Sequence, residues 1–386
     1  MRKTIICIIA TLSLVLTFAS AYAITGQCVN CHTMHNMQDG VVVNAGGPYQ
    51  QLLNADCIVC HTETTTGNVD PVNSFGAPIV WSTTLPGGQG DGFTTAGGDF
   101  YWVAQAGAEA DKKGHNVAGI KAQDLNIGLT PPGWDPTATP GALLADGQIH
   151  TGATTWSNQL SCAGLYGCHG NHSEADQSAA IRGAHHGNTT LSSTKAENPA
   201  TVGGSYRFLG GINGLEKSDW NWDENATNHN EYFGANGNAS YANKRTISYS
   251  CAQCHGFFHS SIDDTTAGSP WLRHPTDIAL PSTVTKEYQF YNPDGLPAGS
   301  GAVAGNTDYS IEAPVARPTV PTVSSINVTP GTDIVMCLSC HRAHGSPQND
   351  ILRWDYTTML AATGTSDSGC FTCHTCKNSI TDCNLP

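Results

Sequence analysis

Most cysteines of this chain are grouped, and each of these groups ends in histidine. Cys28-Val29-Asn30-Cys31-His32, Cys57-Ile58-Val59-Cys60-His61 and Cys251-Ala252-Gln253-Cys254-His255 share one spacing. Cys337-Leu338-Ser339-Cys340-His341 and Cys370-Phe371-Thr372-Cys373-His374 repeat it. C-x-x-C-H is the pattern of c-type haem attachment. Two thiols separated by two residues reach the two vinyl groups on one porphyrin edge. The His that follows turns under the ring and binds iron from one face. Zinc ribbons also use paired C-x-x-C units but have no use for a His after every one. A disulfide framework accounts for cysteine abundance and not for the histidines. A thioredoxin-like site uses a single C-x-x-C in a βαβ context.

A further site is less regular. Cys162-Ala163-Gly164-Leu165-Tyr166-Gly167-Cys168-His169 keeps the Cys-His end and widens the gap. The two glycines in the gap let the extra backbone bulge outward while both sulfurs still meet the vinyls. The competing reading is one thioether or none, with Cys162 free or in a disulfide. Gly170-Asn171-His172 follows and repeats a pattern seen at other motifs, which favours a sixth covalently attached haem c. Cys7, near the N-terminus, and Cys376 and Cys383 remain. Cys373 and Cys376 have C-x-x-C spacing, but Lys377 follows rather than His, so a Cys376–Cys383 disulfide closing a short loop is the expected pairing.

Histidine supply indicates what such haems do. His32, His61, His169, His255, His341 and His374 are the expected proximal ligands. The chain holds 16 histidines, enough to cap every iron on its second face as well. His35, His172 and His344 each follow a proximal His by three positions, and His259 follows His255 by four. A His so close in sequence cannot reach the far face of the same ring, so it points to a neighbouring iron. His115, in Lys113-Gly114-His115-Asn116, and His274, in Leu272-Arg273-His274-Pro275, complete the expected distal set. His150, His185, His186 and His229 are spare, and the His185-His186 pair is the rival of His115 or His274. Met34, Met37, Met336 and Met359 are alternative axial ligands that raise potential, but histidine is abundant enough to make them unnecessary. Catalysis on a small molecule at haem iron needs an open coordination position. Closing every iron with imidazole suits electron transfer instead, and no catalytic residue is expected.

The surrounding chain fits an exported protein. Arg2 and Lys3, an apolar run from Thr4 to about Phe18, and Ala21-Tyr22-Ala23 read as a signal peptide over residues 1–23. One cytochrome domain is then expected over 24–386. The apolar run is too short for a membrane span, and nothing later is long and apolar enough. With 17 basic and 31 acidic residues, the formal net charge is −14, and losing Arg2 and Lys3 makes the remainder more acidic. That balance argues against nucleic acid as a partner and fits a soluble surface, a cationic partner or a positively charged mineral face. The chain has 42 Gly and 20 Pro and few stretches with helical period. Thr130-Pro131-Pro132-Gly133 and Pro318-Thr319-Val320-Pro321 read as loop or extended chain. So little regular patterning over this length needs something besides a protein core to order it.

Cys31-His32-Thr33-Met34-His35, Gly97-Gly98-Asp99-Phe100, Lys113-Gly114-His115-Asn116, Tyr206-Arg207-Phe208-Leu209-Gly210-Gly211, Leu272-Arg273-His274-Pro275 and Cys337-Leu338-Ser339-Cys340-His341-Arg342-Ala343-His344 form an ordered set. In these stretches the chain resembles the OmcS-like hexahaem outer-surface cytochromes, a filament-forming family of metal-reducing bacteria. The resemblance implies a mostly irregular fold, coil with short α-helices and few short strands, around a continuous haem chain of alternating parallel-stacked and T-shaped pairs. It implies an outer-surface or extracellular filament of protomers joined head to tail by a contact that does not close on itself. His35 would then ligate a haem of the adjacent protomer, the one at Cys337/Cys340. Partners implied are other redox cytochromes and extracellular metal oxides or other acceptors. The alternative is a monomeric carrier in the periplasm or on the outer surface. The chain departs from the family at the Cys162/Cys168 motif, which is regular in its relatives, and in the tail bearing Cys376 and Cys383.

Overall fold

Among the described residues, regular structure is confined to elements of two to six residues. The structure is a computed structural model that describes residues 27–45, 47–54, 56–63, 77–87, 94–135, 155–182, 195–196, 201–217, 224–237, 243–259, 274–282, 291, 308–361 and 368–374. The expected signal peptide, His150, His185, His186, Cys376 and Cys383 lie outside these residues, as does the His259 side chain. Among the described residues no helix is long and apolar enough to cross a membrane. The architecture is mostly coil with short helices and strands, as the family resemblance implies.

One six-stranded sheet gives the chain its main scaffold. Its strands run in the spatial order Ile278–Ala279, Ile334–Val335, Ala316–Arg317, Glu231–Phe233, Gly214–Glu216 and Lys195–Ala196. Neighbours are antiparallel except Ala316–Arg317 and Glu231–Phe233, which run parallel. Alternate residues of a strand face opposite sides of a sheet, and this sheet uses the two sides differently. Tyr232, Ala316 and Ile334 join Tyr206, Ile212, Ile247, Tyr249 and Met336 in an apolar cluster. Val335 faces the other way and packs with Leu280, Tyr309, Val315 and Val328.

Glu231, Arg317 and Asp333 share that second side, and all three are buried. Arg317 donates Nε to Glu231 Oε2 at 2.6 Å and Nη1 to Asp333 Oδ2 at 2.7 Å. Its remaining N–H groups reach the carbonyls of Asn327 and Ser325. Burying a charge is costly unless it is paired and hydrogen-bonded, and here the guanidinium satisfies two carboxylates and two loop carbonyls at once. His229 belongs to the same network. Its Nδ1 lies 3.0 Å from Asn225 O and its Nε2 lies 3.2 Å from Glu231 Oε1. Its ring stacks on Tyr309 with centroids 3.5 Å apart. With both nitrogens occupied, His229 serves the sheet, in keeping with its expected place among the spare histidines.

The sheet positions the motifs that flank it. Ile334–Val335 leads directly into Met336 and the 3-10 turn Cys337–Ser339. The helix Ile247–Ala252, capped by Thr246 Oγ1 on Tyr249 N at 3.1 Å, buries Ile247 and Tyr249 in the apolar cluster and carries Cys251. Removing one partner of a buried ion pair costs about 3–5 kcal/mol, because the other charge stays buried and unpaired. Arg317→Met is expected to destabilise the protein by that amount, read as a lowered midpoint in denaturant unfolding followed by far-ultraviolet circular dichroism.

Candidate haem-binding sites

Each regular motif folds into a single helical turn. Cys28–Cys31 and Cys57–Cys60 are one-turn α-helices, and Cys337–Ser339 and Gly369–Thr372 are 3-10 turns. In all five, the His backbone N–H closes the turn onto the carbonyl of the first Cys at 2.8–3.1 Å. Residues three apart on a helical turn share a face, so the local hydrogen bond sets both thiols on one side and starts the His from the turn's end. Among the described residues no three His, Cys, Asp or Glu side chains converge as a metal-ion cage.

The imidazoles are oriented by backbone carbonyls. Nδ1 of His32, His61, His169, His255 and His341 lies 2.6–3.0 Å from the carbonyl oxygens of Gln51, Pro78, Arg207, Pro132 and Asp350 respectively. A carbonyl can only accept, so Nδ1 carries the proton and Nε2 presents its lone pair. That tautomer is the one a metal ligand needs. Burial, which disfavours the charged ring, lowers the pKa of His61, His169 and His341 and brings His255 down to about 4. These side chains are held neutral and aimed, which fits them to bind iron.

The carbonyl acceptors follow an alternation over the first five motifs that sequence reading did not find. At the first, third and fifth motifs the carbonyl belongs to a pair of non-glycine residues, both with positive φ. These are Gln51-Leu52 (57° and 59°), Arg207-Phe208 (46° and 59°) and Asp350-Ile351 (57° and 51°). The first residue of each pair takes the His Nδ1–H. The second takes the backbone N–H of the residue after the His: Thr33 to Leu52 at 2.7 Å, Gly170 to Phe208 at 2.7 Å, Arg342 to Ile351 at 2.9 Å. At the second and fourth motifs a proline carbonyl, of Pro78 or Pro132, does the work instead. The only sequence trace of the paired turns is a Leu directly after each, at positions 53, 209 and 352. None carries the Gly or Asn that normally marks such a backbone.

Three pairs of histidines face each other. Ring centroids are 6.2 Å apart for His115 and His255, 6.4 Å for His169 and His344, and 6.0 Å for His274 and His374. An imidazole nitrogen bonds a first-row metal at about 2.0 Å and the ring centre lies roughly 1.1 Å behind it, so two imidazoles on opposite sides of one iron have centres roughly 6 Å apart. His115 is held by its Nδ1 to Ala343 O at 2.6 Å and by its backbone N–H to His344 O at 3.3 Å. Gly97-Gly98 and Lys113-Gly114 both pack on His344-Gly345, where a Cβ on Gly114 would sit 2.7 Å from His344 O. Burial brings His344 down to about 3. His172 is buried, with Nε2 3.3 Å from Cys168 O. His35 is exposed.

The thiols are strung in chain order. Cys60 lies beside Cys31, Cys57 within hydrogen-bonding reach of Cys162, and Cys254 beside Cys168. Cys251 is within reach of Cys337, and Cys340 lies beside Cys370 and Cys373. Each motif therefore neighbours the next, from first to last. Met336 is buried in the sheet's apolar cluster. The positive-φ pairs give a test of the carbonyl cradle. Ile351→Pro forces φ to about −65° and costs about 2 kcal/mol or more, so haem content by intact mass falls. Ile351→Gly, which adopts the same backbone freely, leaves it unchanged.

Residues 330–379, spanning the fifth and sixth motifs, match the family described as Doubled CXXCH motif. The C-type cytochrome OmcS of Geobacter sulfurreducens is 27% identical, over 94% of this chain and 88% of that protein. Two solved structures are also similar. The Outer Membrane Cytochrome S Filament from Geobacter sulfurreducens shares 21% identity with a TM-score of 0.41, covering 94% of both chains. The OmcS nanowires from the same organism share 20% with a TM-score of 0.47, covering 94% of this chain and 92% of that one. By its paired motif and by a likeness running along nearly the whole sequence, the chain is similar to the C-type cytochrome OmcS.

Proposed function

We propose that the chain carries six haems, each iron closed by two histidines, and that protomers join head to tail into an extracellular filament conducting electrons to external acceptors. The observation that carries this reading is the set of three imidazole pairs at the separation one iron would set, distributed along motifs that neighbour one another in chain order. Bound haem supplies a one-electron couple at each site. The chain's residues would fix the rings of the five regular motifs by two thioethers, orient the proximal imidazoles of the first five motifs through a backbone carbonyl, and close the opposite face with a second imidazole. Closed coordination leaves no place for a substrate at iron.

The role of His35 follows from a rule within the chain. His344, three positions after the proximal His of the fifth motif, faces His169 of the third. Counting back two motifs in the same way takes His172 to the first motif. It takes His35 beyond the start of the series, to the fifth motif of a neighbouring protomer, the haem at Cys337/Cys340. The surroundings of His35 support that destination. Met34 is 74% exposed, and Met37, Val41, Val42, Val43 and Leu52 are exposed with it. Tyr356 and Leu360, which follow the fifth motif in sequence, are exposed apolar residues too. Exposed apolar side chains beside His35 and after the fifth motif suit a contact between protomers, and a head-to-tail contact that does not close gives a filament.

Cryo-electron microscopy of material sheared from expressing cells is expected to show filaments with six haems per repeat. His35→Ala is expected to yield only discrete particles, and unchanged filaments from that variant would sink the proposal in favour of a monomeric carrier. Ferric protein is expected to be wholly low-spin and, once reduced, to bind no carbon monoxide. A high-spin fraction or carbon monoxide binding would mean an open iron.

A further inference from the structure

The widened motif at Cys162 is the one place where the attachment chemistry departs from C-x-x-C-H, and its local fold is unlike the other five. Its residues form two short strands, Ser161–Ala163 and Gly167–His169, paired parallel with Ser161 opposite Gly167 and Ala163 opposite His169. Cys162 and Cys168 are therefore lateral neighbours. Lateral neighbours in such a pair present their side chains to the same face, about 4.8 Å apart. The two cysteines of a helical C-x-x-C turn stand at a comparable distance, about 5–6 Å between Cβ atoms.

The loop between the strands is built for this register. Gly164 has φ +83°, and a Cβ there would lie 2.7 Å from Glu174 O. A Cβ on Gly167 would lie 2.4 Å from Ala163 N. Gly164 N–H donates to His169 O, and Gly167 N–H to Gly164 O, both at 2.9 Å. Gln177 Oε1 accepts from Cys162 N at 2.9 Å and from Ala163 N at 3.3 Å, tying the long arm to the helix Gln177–Ala180.

Two comparisons within the chain place Cys162 where a regular motif has its first cysteine. The Cys168-His169 end sits in the same paired positive-φ cradle as Cys31-His32 and Cys340-His341. The Cys162 thiol meets Cys57, the first cysteine of the preceding motif, just as Cys337 meets Cys251, the first cysteine of the motif before it.

We infer that Cys162 and Cys168 both bond one haem, the three extra residues being absorbed by the parallel two-strand loop. Each thiol S–H adds across one vinyl C=C. Sulfur bonds the carbon next to the ring and the hydrogen goes to the terminal carbon. No oxidant is consumed and nothing leaves, so the peptide gains the whole mass of one haem. The inference rests on the reading of the chain as a multihaem cytochrome and adds to it how an expanded motif is closed.

The test uses the full-length protein purified from the cells that make it. It is denatured, alkylated with iodoacetamide and digested, and its haem peptides are sequenced by tandem mass spectrometry. The expected result is one haem bridging Cys162 and Cys168, with neither alkylated. Cys162 carrying the alkyl label, or joined to Cys57 by a disulfide while haem sits on Cys168 alone, overturns the inference. Haem at the five regular motifs with Cys162 unbonded overturns only this step, whereas haem at none of them overturns the cytochrome reading itself. Gly167→Ala is expected to raise Cys162 alkylation severalfold with haem retained on Cys168. An unchanged bridge in that variant would mean that the loop does not set the register.

Discussion

A backbone carbonyl aimed at Nδ1 of the motif histidine, seen at the first five motifs, is the constraint on which most of this irregular structure depends. A helical turn places two thiols and a histidine, but it leaves the imidazole free to rotate and to choose its tautomer. Only an acceptor fixed from outside the turn removes that freedom. Regular secondary structure spends its carbonyls on its own ladder, so the acceptors here come from residues outside any ladder. They are the residue at Pro78 or Pro132, or the first of two residues with positive φ. Side chains such as Ile351 and Phe208 hold such φ values at a cost of about 1–3 kcal/mol each. That strain persists because one turn satisfies two donors, the imidazole and the next backbone N–H.

The second constraint is scarcity of ordinary core. Strands of two or three residues cannot by themselves hold a chain of this length. The sheet compensates by putting an apolar cluster on one side and the Glu231–Arg317–Asp333 network, with His229 and Tyr309, on the other. Such a network is weak as a source of stability but strict about geometry, because each partner is buried and must be matched. Strictness suits a scaffold from which the third, fourth and fifth motifs are hung. Under the proposed function, cofactor attachment would supply the remaining order, cross-linking each site covalently and, through a second imidazole, joining segments far apart in the chain.

Motif order and electron path are linked by the same packing. Thiols of successive motifs lie side by side from Cys31 to Cys373. Rings attached there would therefore follow one another in chain order, which electron hopping needs. His344, three positions past the proximal histidine of the fifth motif, faces His169 of the third and so brings its own segment against an earlier one.

The c-type haem chemistry and the electron-transfer reading were legible in the sequence, because thioether and proximal-ligand chemistry acts over five consecutive residues and leaves a fixed spacing. The supply of second ligands was legible too, as a count. Their pairing was not, because it joins residues remote in the chain: His115 meets a carbonyl 228 positions away, and His255 meets one 123 positions away. The positive-φ turns at Gln51, Arg207 and Asp350 left no glycine to announce them, since tertiary contacts rather than local preference hold them there. For the Cys162 motif the sequence showed a widened gap with two glycines that let the backbone bulge, but not how the two cysteines are set side by side. Its closure depends on a strand register between Cys162 and Cys168, and register is a relation between backbones that only the folded chain decides.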